Sequence, residues 1–591
     1  MKRKFNPIIL FASSFAFISI LSFPLISGAS NQLKKINNIK RANESSPINL
    51  YVYNSEDYIA EDEKDDSNNI ISEGVITKFE KYEKEQGKNV KVIYSCFDTN
   101  ESMLNQLRMG NENYDLICTS DYVVQKMIQE KMIIPFENDD EEVFSSTPNY
   151  DDYGSNYIKE KLGSVEVKID SDDKYVMNKY CRGYMWGTLG LLYNTTFSKL
   201  EKRNIDPADL DKDMESYSNL WDTKYKKLLS IKDSMRDTYA IGLLETYKDD
   251  FTLNNVSYDG FSTLYKKYLN GDITLEEYEE KGNDLFNFCD STTISRVKEN
   301  LINLRDNAYG FEVDSGKSDM ARGNYFAINL AWSGDACWAM EMADEFNEEH
   351  EKNYPDDESF NPTVLKYSIP EGGSNMWCDA WVMTNAVEKH NSKEIAQDFV
   401  NFLSDPEIAC QNMDYIGYTS CIAGDAVLDY LYESNDIRYD EEKEEIDDEI
   451  LDEYNILTKD EIKKLESDKD IEEAVFEKNI SYFFDGTLEE YTNDDARLYI
   501  EASELSRSFD ASYPDEEQLP SLFVMRDYGS QSQEISKMWQ QIKNKFLPLW
   551  VYILVIAVVS GLITLVVYNK VKKTKELKRR KASRESKSLA N

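Results

Sequence analysis

The sequence predicts an α/β protein built on a mostly parallel sheet and framed by two apolar terminal segments. Short apolar segments rich in β-forming residues alternate with amphipathic segments of about ten residues between residues 50 and 119. The same pattern returns at residues 325–333 and 381–403. Strands that alternate with helices are typical of βαβ units on a parallel sheet. A chain of 591 residues is also long enough to bury several sizeable cores.

The elements of this pattern follow one another in order. Residues 50–54 (LYVYN) predict a first strand, and the segment from Gly74 to Gly87 predicts a helix, because its apolar residues share one face and it ends in glycine. The remaining predicted elements are a strand at 90–96, a helix at 102–109, strands at 114–119, 325–333 and 381–384, and a helix at 394–403. The acidic segment 435–475 is predicted to be a solvated surface insertion.

The first 29 residues predict a signal peptide or an uncleaved signal anchor. A basic start is followed by the apolar run from Ile8 to Leu25 and by the small residues Ser27-Gly28-Ala29, a pattern that signal peptidase can cleave. Residues 30–47 are polar and unpatterned, which predicts a linker. No cysteine precedes Cys96, so a lipid anchor on a cysteine next to the signal is excluded.

Residues 546–568 predict a transmembrane helix. The segment contains 23 residues and no charge, and at 1.5 Å per residue it spans roughly 34 Å, enough to cross a bilayer. Residues 569–591 form a basic tail, which the positive-inside rule places in the cytoplasm. The sequence therefore predicts a cell-membrane protein with residues 30–545 outside the cell or in the periplasm. It crosses the membrane once, or twice if the N-terminal segment is not cleaved.

The charge of the chain excludes one class of partner. There are 67 basic and 110 acidic side chains, giving a net charge of −43, and both termini are basic, so the segment between them is more acidic still. Such a surface repels phosphate backbones and attracts cations. We expect no nucleic-acid partner.

The motifs of common enzyme classes are missing from the sequence. There are only two histidines, His350 and His390, both in polar segments, and no zinc spacing, nucleophile elbow, phosphate loop or dinucleotide fingerprint. The acidic stretch 170–173 starts like a calcium loop but lacks the glycine and the closing glutamate. The sequence therefore predicts neither an enzyme nor a cofactor or metal site.

Carboxylates and aromatic residues occur together where predicted strands begin or end. These two groups are what a site for an amine cation requires, because carboxylates compensate its charge and aromatic faces attract cations. In open α/β sheets, ligands bind beyond the carboxyl ends of the strands. The groups are Trp332 with Asp335, Trp377 with Asp379, Asp57 with Tyr58, and Ser120 with Asp121 and Tyr122.

These residues belong to segments through which the chain resembles the bacterial spermidine/putrescine substrate-binding proteins of ABC importers. The resemblance covers residues 48–425 and extends more loosely to residue 545, with order and spacing kept. The matching segments are LYVYNSEDYIAED, FEKYEKEQGKNVKVIYSCFDTNESM, YDLICTSDYVVQKM, YMWGTLGLLYN, LWDTKYKKLLSIKDSMRD, INLAWSGDA, YSIPEGG, MWCDAWVM and YIGYTS.

The resemblance implies a two-lobed periplasmic-binding-protein-like fold of type II that closes on a polyamine. Residues 48–183 and 379–430 would form lobe 1, and residues 184–378 and 431–545 lobe 2. The cleft would be lined by Tyr58, Ser120 and Tyr122, with ligand carboxylates Asp57, Asp237, Asp335 and Asp379, the tryptophans Trp332 and Trp377 around the methylene chain, and Tyr418 at the far side. The implied partners are a polyamine and the permease subunits of an ABC transporter.

Three departures from the family pattern leave the ligand open. Ser55 stands where a tryptophan is usual, Ser234 stands where an acidic residue is usual, and Met525 aligns with a glutamine that binds ligand in some members. Spermidine, putrescine and other amines are all compatible with these departures. A binding protein of the same fold for another solute is an alternative. A surface adhesion or interaction protein on the same fold is the alternative from another class.

Overall fold

The computed structural model describes residues 46–543 except 66, 111–112, 139–140, 169–173, 313–314, 358 and 466–473, and it also describes Thr564. The predicted signal segment, nearly all of the predicted linker, the predicted membrane helix apart from Thr564, and the basic tail lie outside the described residues. Within the described part of the chain, no helix is long and apolar enough to cross a bilayer. The described residues up to Ser532 belong to one compact unit, and those from Gln533 onward belong to a second.

The first unit is organised around a sheet to which twelve strands of the described chain contribute. The strands are β1 Ile48–Ser55, β2 Val90–Phe97, β3 Leu116–Ser120, β4 Ile133–Ile134, β5 Cys181–Asn194, β6 Leu229–Lys232, β7 Gly310–Glu312, β8 Ile328–Trp332, β9 Leu365–Ser368, β10 Ser374–Thr384, β11 Thr419–Ser420 and β12 Leu522–Val524. The main order is β7-β6-β8-β5-β10-β3-β1-β2. Strands β9 and β11 pair with β5, and β4 and β12 pair with β10.

Two sets of parallel strands are joined by two long antiparallel ones. Strands β1, β2 and β3 form the first half-sheet, and β6, β7 and β8 form the second. Strand β5 pairs with β10 over its first part and with β8 over its second part, so β5 and β10 connect the two halves. All fourteen residues of β5 are buried, which fits a strand covered on both faces. The predicted two-lobed α/β fold is confirmed.

Further short strands form small separate ladders, and helices cover the sheet. The short strands are Glu63–Lys64, Ile70–Ser72, Glu166–Lys168, Lys174–Val176, Phe251–Leu253, Val256–Tyr258, Tyr439–Asp440, Glu445–Ile446, Asn455–Ile456, Ala474–Asn479 and Arg497–Glu501. The α-helices are Val75–Gln86, Asn100–Arg108, Asp121–Gln129, Pro148–Tyr153, Asn156–Gly163, Pro207–Asp213, Met235–Thr246, Phe261–Leu269, Leu275–Phe286, Ser291–Asn307, Ser315–Ala321, Ser333–Asn353, Ala386–His390, Lys393–Leu403, Pro406–Ile416, Asp425–Asn435, Lys459–Leu465, Ser481–Phe484, Ser508–Ser512 and Ser532–Lys543.

The predicted elements are confirmed in kind, with shifted ends that have local causes. The helix at 102–109 begins at Asn100, because the Thr99 side chain accepts a hydrogen bond from the Ser102 amide in a capping box. The strand at 325–333 begins only at Ile328, after Tyr325 with φ 58°. The strand at 381–384 is the end of β10, which already begins at Ser374.

Most described residues of the segment 435–475 are exposed or partly exposed. Residues 441–445 are exposed, as predicted. Asp436, however, is fully buried and forms an ion pair with buried Arg438 (2.9 Å between Oδ2 and Nη2), and Ile462 lies in the main core. These side chains are exceptions to the predicted surface exposure, because composition reports the acidic majority and not the few side chains that are buried.

Replacing Arg438 by Ala is expected to lower the free energy of unfolding by about 3–5 kcal/mol, because Asp436 would remain as a buried charge without its cation. Denaturant unfolding measures this change. The matched control is Arg497→Ala, which removes an exposed ion pair with Glu477 and should cost less than about 1 kcal/mol. Equal effects of the two replacements would contradict the interpretation.

The end of the first unit contacts both halves. The Arg507 guanidinium donates to the Leu365 carbonyl beside the second half-sheet (3.0 Å). The Gln125 amide, on the helix after β3, donates to the Met525 carbonyl (2.9 Å). The boundary that assigns residues 431–545 to lobe 2 stays a prediction.

Candidate ligand-binding site

The candidate site lies where the carboxyl ends of the two half-sheets approach each other. Ser120 ends β3, and Trp332 ends β8. Asp379 lies on the connecting strand β10 directly opposite Ser120. Because parallel strands end at the same edge of a sheet, each half brings its own polar and aromatic residues to this place.

Asp379 is a site carboxylate that has no ion-pair partner among the described residues. The Tyr58 hydroxyl donates to Asp379 Oδ2 at 2.9 Å, and Ser120 also donates a hydrogen bond to this carboxyl. Among the described residues, no lysine or arginine forms an ion pair with Asp379. Burial raises its pKa, while the two hydrogen bonds oppose that rise. The same burial and the nearby Asp379 charge raise the pKa of Tyr58 far above its ordinary value, so Tyr58 stays a donor.

Aromatic rings surround this carboxylate. The Tyr418 ring packs edge-on against Tyr58, with centroids 5.7 Å apart, and against Trp377 at 5.6 Å. The Trp377 indole N–H donates to the Thr188 carbonyl at 3.3 Å, which fixes the ring. A side chain at Gly187 would bring a Cβ to 2.7 Å from Trp377 Cζ2, so glycine is required for this approach.

Asp121 adds a second carboxyl to the site, and its side chain is buried. It opens the helix Asp121–Gln129 after β3, and burial raises its pKa to about 7, with the Asp379 charge adding to the rise and Arg236 opposing it. Asp121 follows Ser120 in the sequence but was not among the predicted ligand residues. Its position at a strand end was the available signal.

The second half contributes Asp237 and Trp332. The Trp332 indole N–H donates to Asp237 Oδ2 at 3.2 Å, and the Asp237 amide donates to the Ser234 hydroxyl at 3.3 Å. Asp237 lies in the first turn of the helix Met235–Thr246, where a negative charge is favoured. Burial nevertheless raises its pKa.

Asp335 differs from the other carboxylates because the protein compensates its charge. The Lys232 ammonium lies 2.7 Å from Oδ2, and the Lys317 ammonium lies 3.1 Å from Oδ1. The Tyr418 hydroxyl also donates to Oδ1 at 3.1 Å. Burial tends to raise the pKa of Asp335, but the two lysines outweigh it and lower the pKa below its ordinary value.

Arg236 joins the two halves across the site. Its guanidinium lies 3.7 Å from the centroid of the Tyr122 ring on one half and 4.4 Å from that of Tyr528. Asn100 in turn donates to the hydroxyls of Tyr122 and Ser120, at 3.2 Å in each case. Tyr122 therefore lies between a cation and a polar network.

The structure brings nine of the ten predicted residues into this connected cluster. Asp57 is exposed with φ 52°, and it makes no hydrogen bond or ion pair with another described residue of the site. Lys232, Lys317 and Arg236 also belong to the cluster but were not predicted from the sequence. The position of Lys232 at the end of the buried segment LSIK was a signal, whereas the stacking of Arg236 depends on contacts between distant segments.

Amine binding at this site is expected to weaken about tenfold when the pH falls from 8 to 6, because a carboxyl with a pKa near 7 must be ionised to pair with an ammonium. Calorimetric titration at the two pH values measures this change. Proton release in buffers of different ionisation enthalpy gives a second readout.

Asp121→Asn is the control for this pH dependence, and it should flatten the profile. The stability of the ligand-free protein is expected to depend on pH in the opposite direction to amine affinity. A raised carboxyl pKa means that the folded state binds more protons, so stability falls as the pH rises from the ordinary aspartate pKa to about 7. An amine affinity at pH 6 that equals or exceeds the affinity at pH 8 would contradict the pairing of Asp121 with the ligand ammonium.

Comparison with known proteins places the chain among solute-binding proteins. Residues 77–429 match the family described as bacterial extracellular solute-binding protein. The putrescine-binding periplasmic protein PotF of Escherichia coli is 24% identical over 374 residues, which are 63% of this chain and 77% of that protein. The putrescine-binding periplasmic protein SpuD of Pseudomonas aeruginosa is 26% identical over 369 residues, 62% of this chain and 77% of that protein.

The solved structures that the chain matches include a spermidine/putrescine ABC transporter substrate-binding protein, PotD, from Streptococcus pneumoniae. It is 21% identical, and the match covers 84% of this chain and 99% of that chain with a TM-score of 0.46.

Proposed function

The chain belongs to the bacterial extracellular solute-binding protein family, and from this premise we propose that it captures a polyamine, spermidine or putrescine, between its two lobes. The single observation that carries the proposal is Asp379, a half-buried carboxylate that accepts a hydrogen bond from Tyr58 and has no cation among the described residues. A charge removed from much of its solvent is costly unless a partner compensates it. A ligand ammonium is such a partner.

The aromatic residues support an amine with a carbon chain rather than a bare cation. The Tyr418 ring contacts both the Tyr58 ring and the Trp377 ring beside Asp379. Rings of this kind bind methylene groups by burial and ammonium groups through their faces, the latter contributing about 0.5–2 kcal/mol. Relatives whose names state putrescine binding support the same ligand class.

Ligand capture is proposed to work by stabilising the closed arrangement of the lobes. A ligand shifts such an equilibrium by its difference in affinity for the two states. In the structure, Arg236 against Tyr122 already joins the halves. Contacts of one amine with Asp379 on the connecting strand and with Asp237 or Trp332 on the other half would stabilise closure further.

The captured polyamine is proposed to pass to an ABC permease, with the protein attached to the membrane through residues 546–568. The uncharged run of 23 residues and the basic tail support this attachment. Attachment keeps a binding protein at a high effective concentration near its permease. Carbonate extraction of membranes tests it, since the full chain should stay in the pellet and a chain ending at Lys543 should not.

Uptake of labelled putrescine and spermidine tests the function as a whole. Cells of the source organism that lack the gene are compared after complementation with the wild-type chain or with Asp379→Asn. The proposal expects uptake to return only with the wild type. Equal uptake with both chains, at equal amounts in the membrane, would contradict it.

A further inference from the structure

We infer that Lys232 fills one cation position of the cleft with its own ammonium, so that the protein prefers a short diamine to a longer polyamine. The inference rests on the proposed function and deepens it by naming the ligand length. It concerns three residues. The Lys232 ammonium lies between the Asp335 carboxylate and the Trp332 indole.

The surroundings of the Lys232 ammonium are those that a ligand ammonium requires. Its nitrogen lies 2.7 Å from Asp335 Oδ2 and 4.3 Å from the centroid of the Trp332 ring. A carboxylate at hydrogen-bond distance and an aromatic face within about 6 Å are the two contacts by which proteins bind amines. Lys232 thus makes the contacts that the sequence analysis assigned to the ligand at these two residues.

Lys232 is a fixed part of the site. Its side chain is 2% exposed, and it ends β6, a strand that is paired with β7 on one side and β8 on the other. The Thr238 hydroxyl donates to the Lys232 carbonyl at 2.8 Å, and Glu312 Oε1 lies 4.0 Å from the ammonium. A side chain held in this way does not vacate its position for solvent.

The charges divide the cleft into two unequal ends. Asp335 is compensated by Lys232 and by Lys317, whose ammonium lies 3.1 Å away. Asp379, in contrast, has no lysine or arginine partner in the part of the chain that the structure describes. An ammonium of the ligand is therefore attracted to the Asp379 end, and a further ammonium that reaches Asp335 meets two like charges.

The test is calorimetric titration of the full chain in detergent with putrescine and with spermidine. Wild type is expected to bind putrescine at least about tenfold more tightly than spermidine. Lys232→Ala removes the ammonium and leaves its volume empty, so the affinity for spermidine is expected to rise about tenfold or more while the affinity for putrescine changes less. Lys232→Met removes the charge but fills the same volume, so the affinity for spermidine is not expected to rise.

Lys478→Ala is the control for destabilisation, because Lys478 is equally buried and pairs with Asp510 and Asp515. It should lower the melting temperature without changing the ranking of the amines. The inference would be overturned by a wild type that prefers spermidine. It would also be overturned by a folded Lys232→Ala protein in which the ranking of the two amines is unchanged. If Lys232→Ala does not fold, the wild-type ranking decides. Silence of wild type with both amines would instead overturn the proposed function, and with it this inference.

Discussion

Replacing Asp379 by Asn is expected to weaken polyamine binding by a factor of about ten to one hundred. The amide keeps the size of the side chain and can still accept from Tyr58, so the loss reports the missing charge. Hydrogen bonds to charged groups contribute about 1.5–3 kcal/mol, and each 1.4 kcal/mol is about a factor of ten in affinity. Titration calorimetry on the folded variant measures this loss.

Two other carboxylates serve as controls for Asp379. Asp398 pairs with Lys88 away from the cleft, and Asp398→Asn should leave amine affinity unchanged. Asp335→Asn should chiefly lower stability, because it leaves the buried Lys232 ammonium without its nearest carboxylate. Wild-type affinity in a folded Asp379→Asn protein would remove Asp379 from the site.

Replacing Trp332 by Ala is expected to weaken polyamine binding at least about tenfold. The change removes the indole ring that the Lys232 ammonium faces at 4.3 Å within the cleft, and also the indole donor that holds Asp237 at 3.2 Å. Because Asp237 is buried, loss of that donor leaves its carboxyl less well solvated and less available in ionised form. Melting curves alongside the titration separate lost affinity from lost folding.

Trp332→Phe and Trp221→Ala complete the comparison. Phenylalanine keeps a ring but not the donor, so it should retain part of the affinity. Trp221 donates to the Asn300 carbonyl outside the cleft, and its replacement should leave amine binding intact. Equal losses in Trp332→Ala and Trp221→Ala would show that the effect is general destabilisation and not a ligand contact.

The strands of the sheet were predicted well because a buried strand shows as an apolar run in the local sequence. Strand β1 is flanked by neighbours of the same half-sheet, so its apolar run is buried and stands out from the polar segments around it. The helix Val75–Gln86 ends at Gly87 with φ 91°, as its glycine predicted. The length of β10 was underestimated, because residues 374–380 are polar or small in part and become a strand only through pairing with β5.

The sequence indicated which residues meet at the candidate site better than it indicated which of their charges are compensated. Carboxylates and rings at strand ends are visible in a sequence, and Tyr58 with Asp379 is such a case. Which carboxylate is compensated is not visible, because Lys232 and Asp335 are separated by 103 residues and meet only through the pairing of β6 with β8. The role of Asp335 as a carboxylate facing ligand amines stays a prediction, and its two lysine partners are what the sequence did not indicate.

The most direct test of the central claim is calorimetric titration of the full chain in detergent with putrescine, spermidine, spermine and cadaverine, and with glucose as a neutral control. Binding to at least one amine with a Kd of about 1 μM or tighter, and no heat with glucose, is the result expected here. No heat with any of the amines, from protein shown to be folded by a cooperative melting transition, would contradict the assignment of this cleft to polyamines.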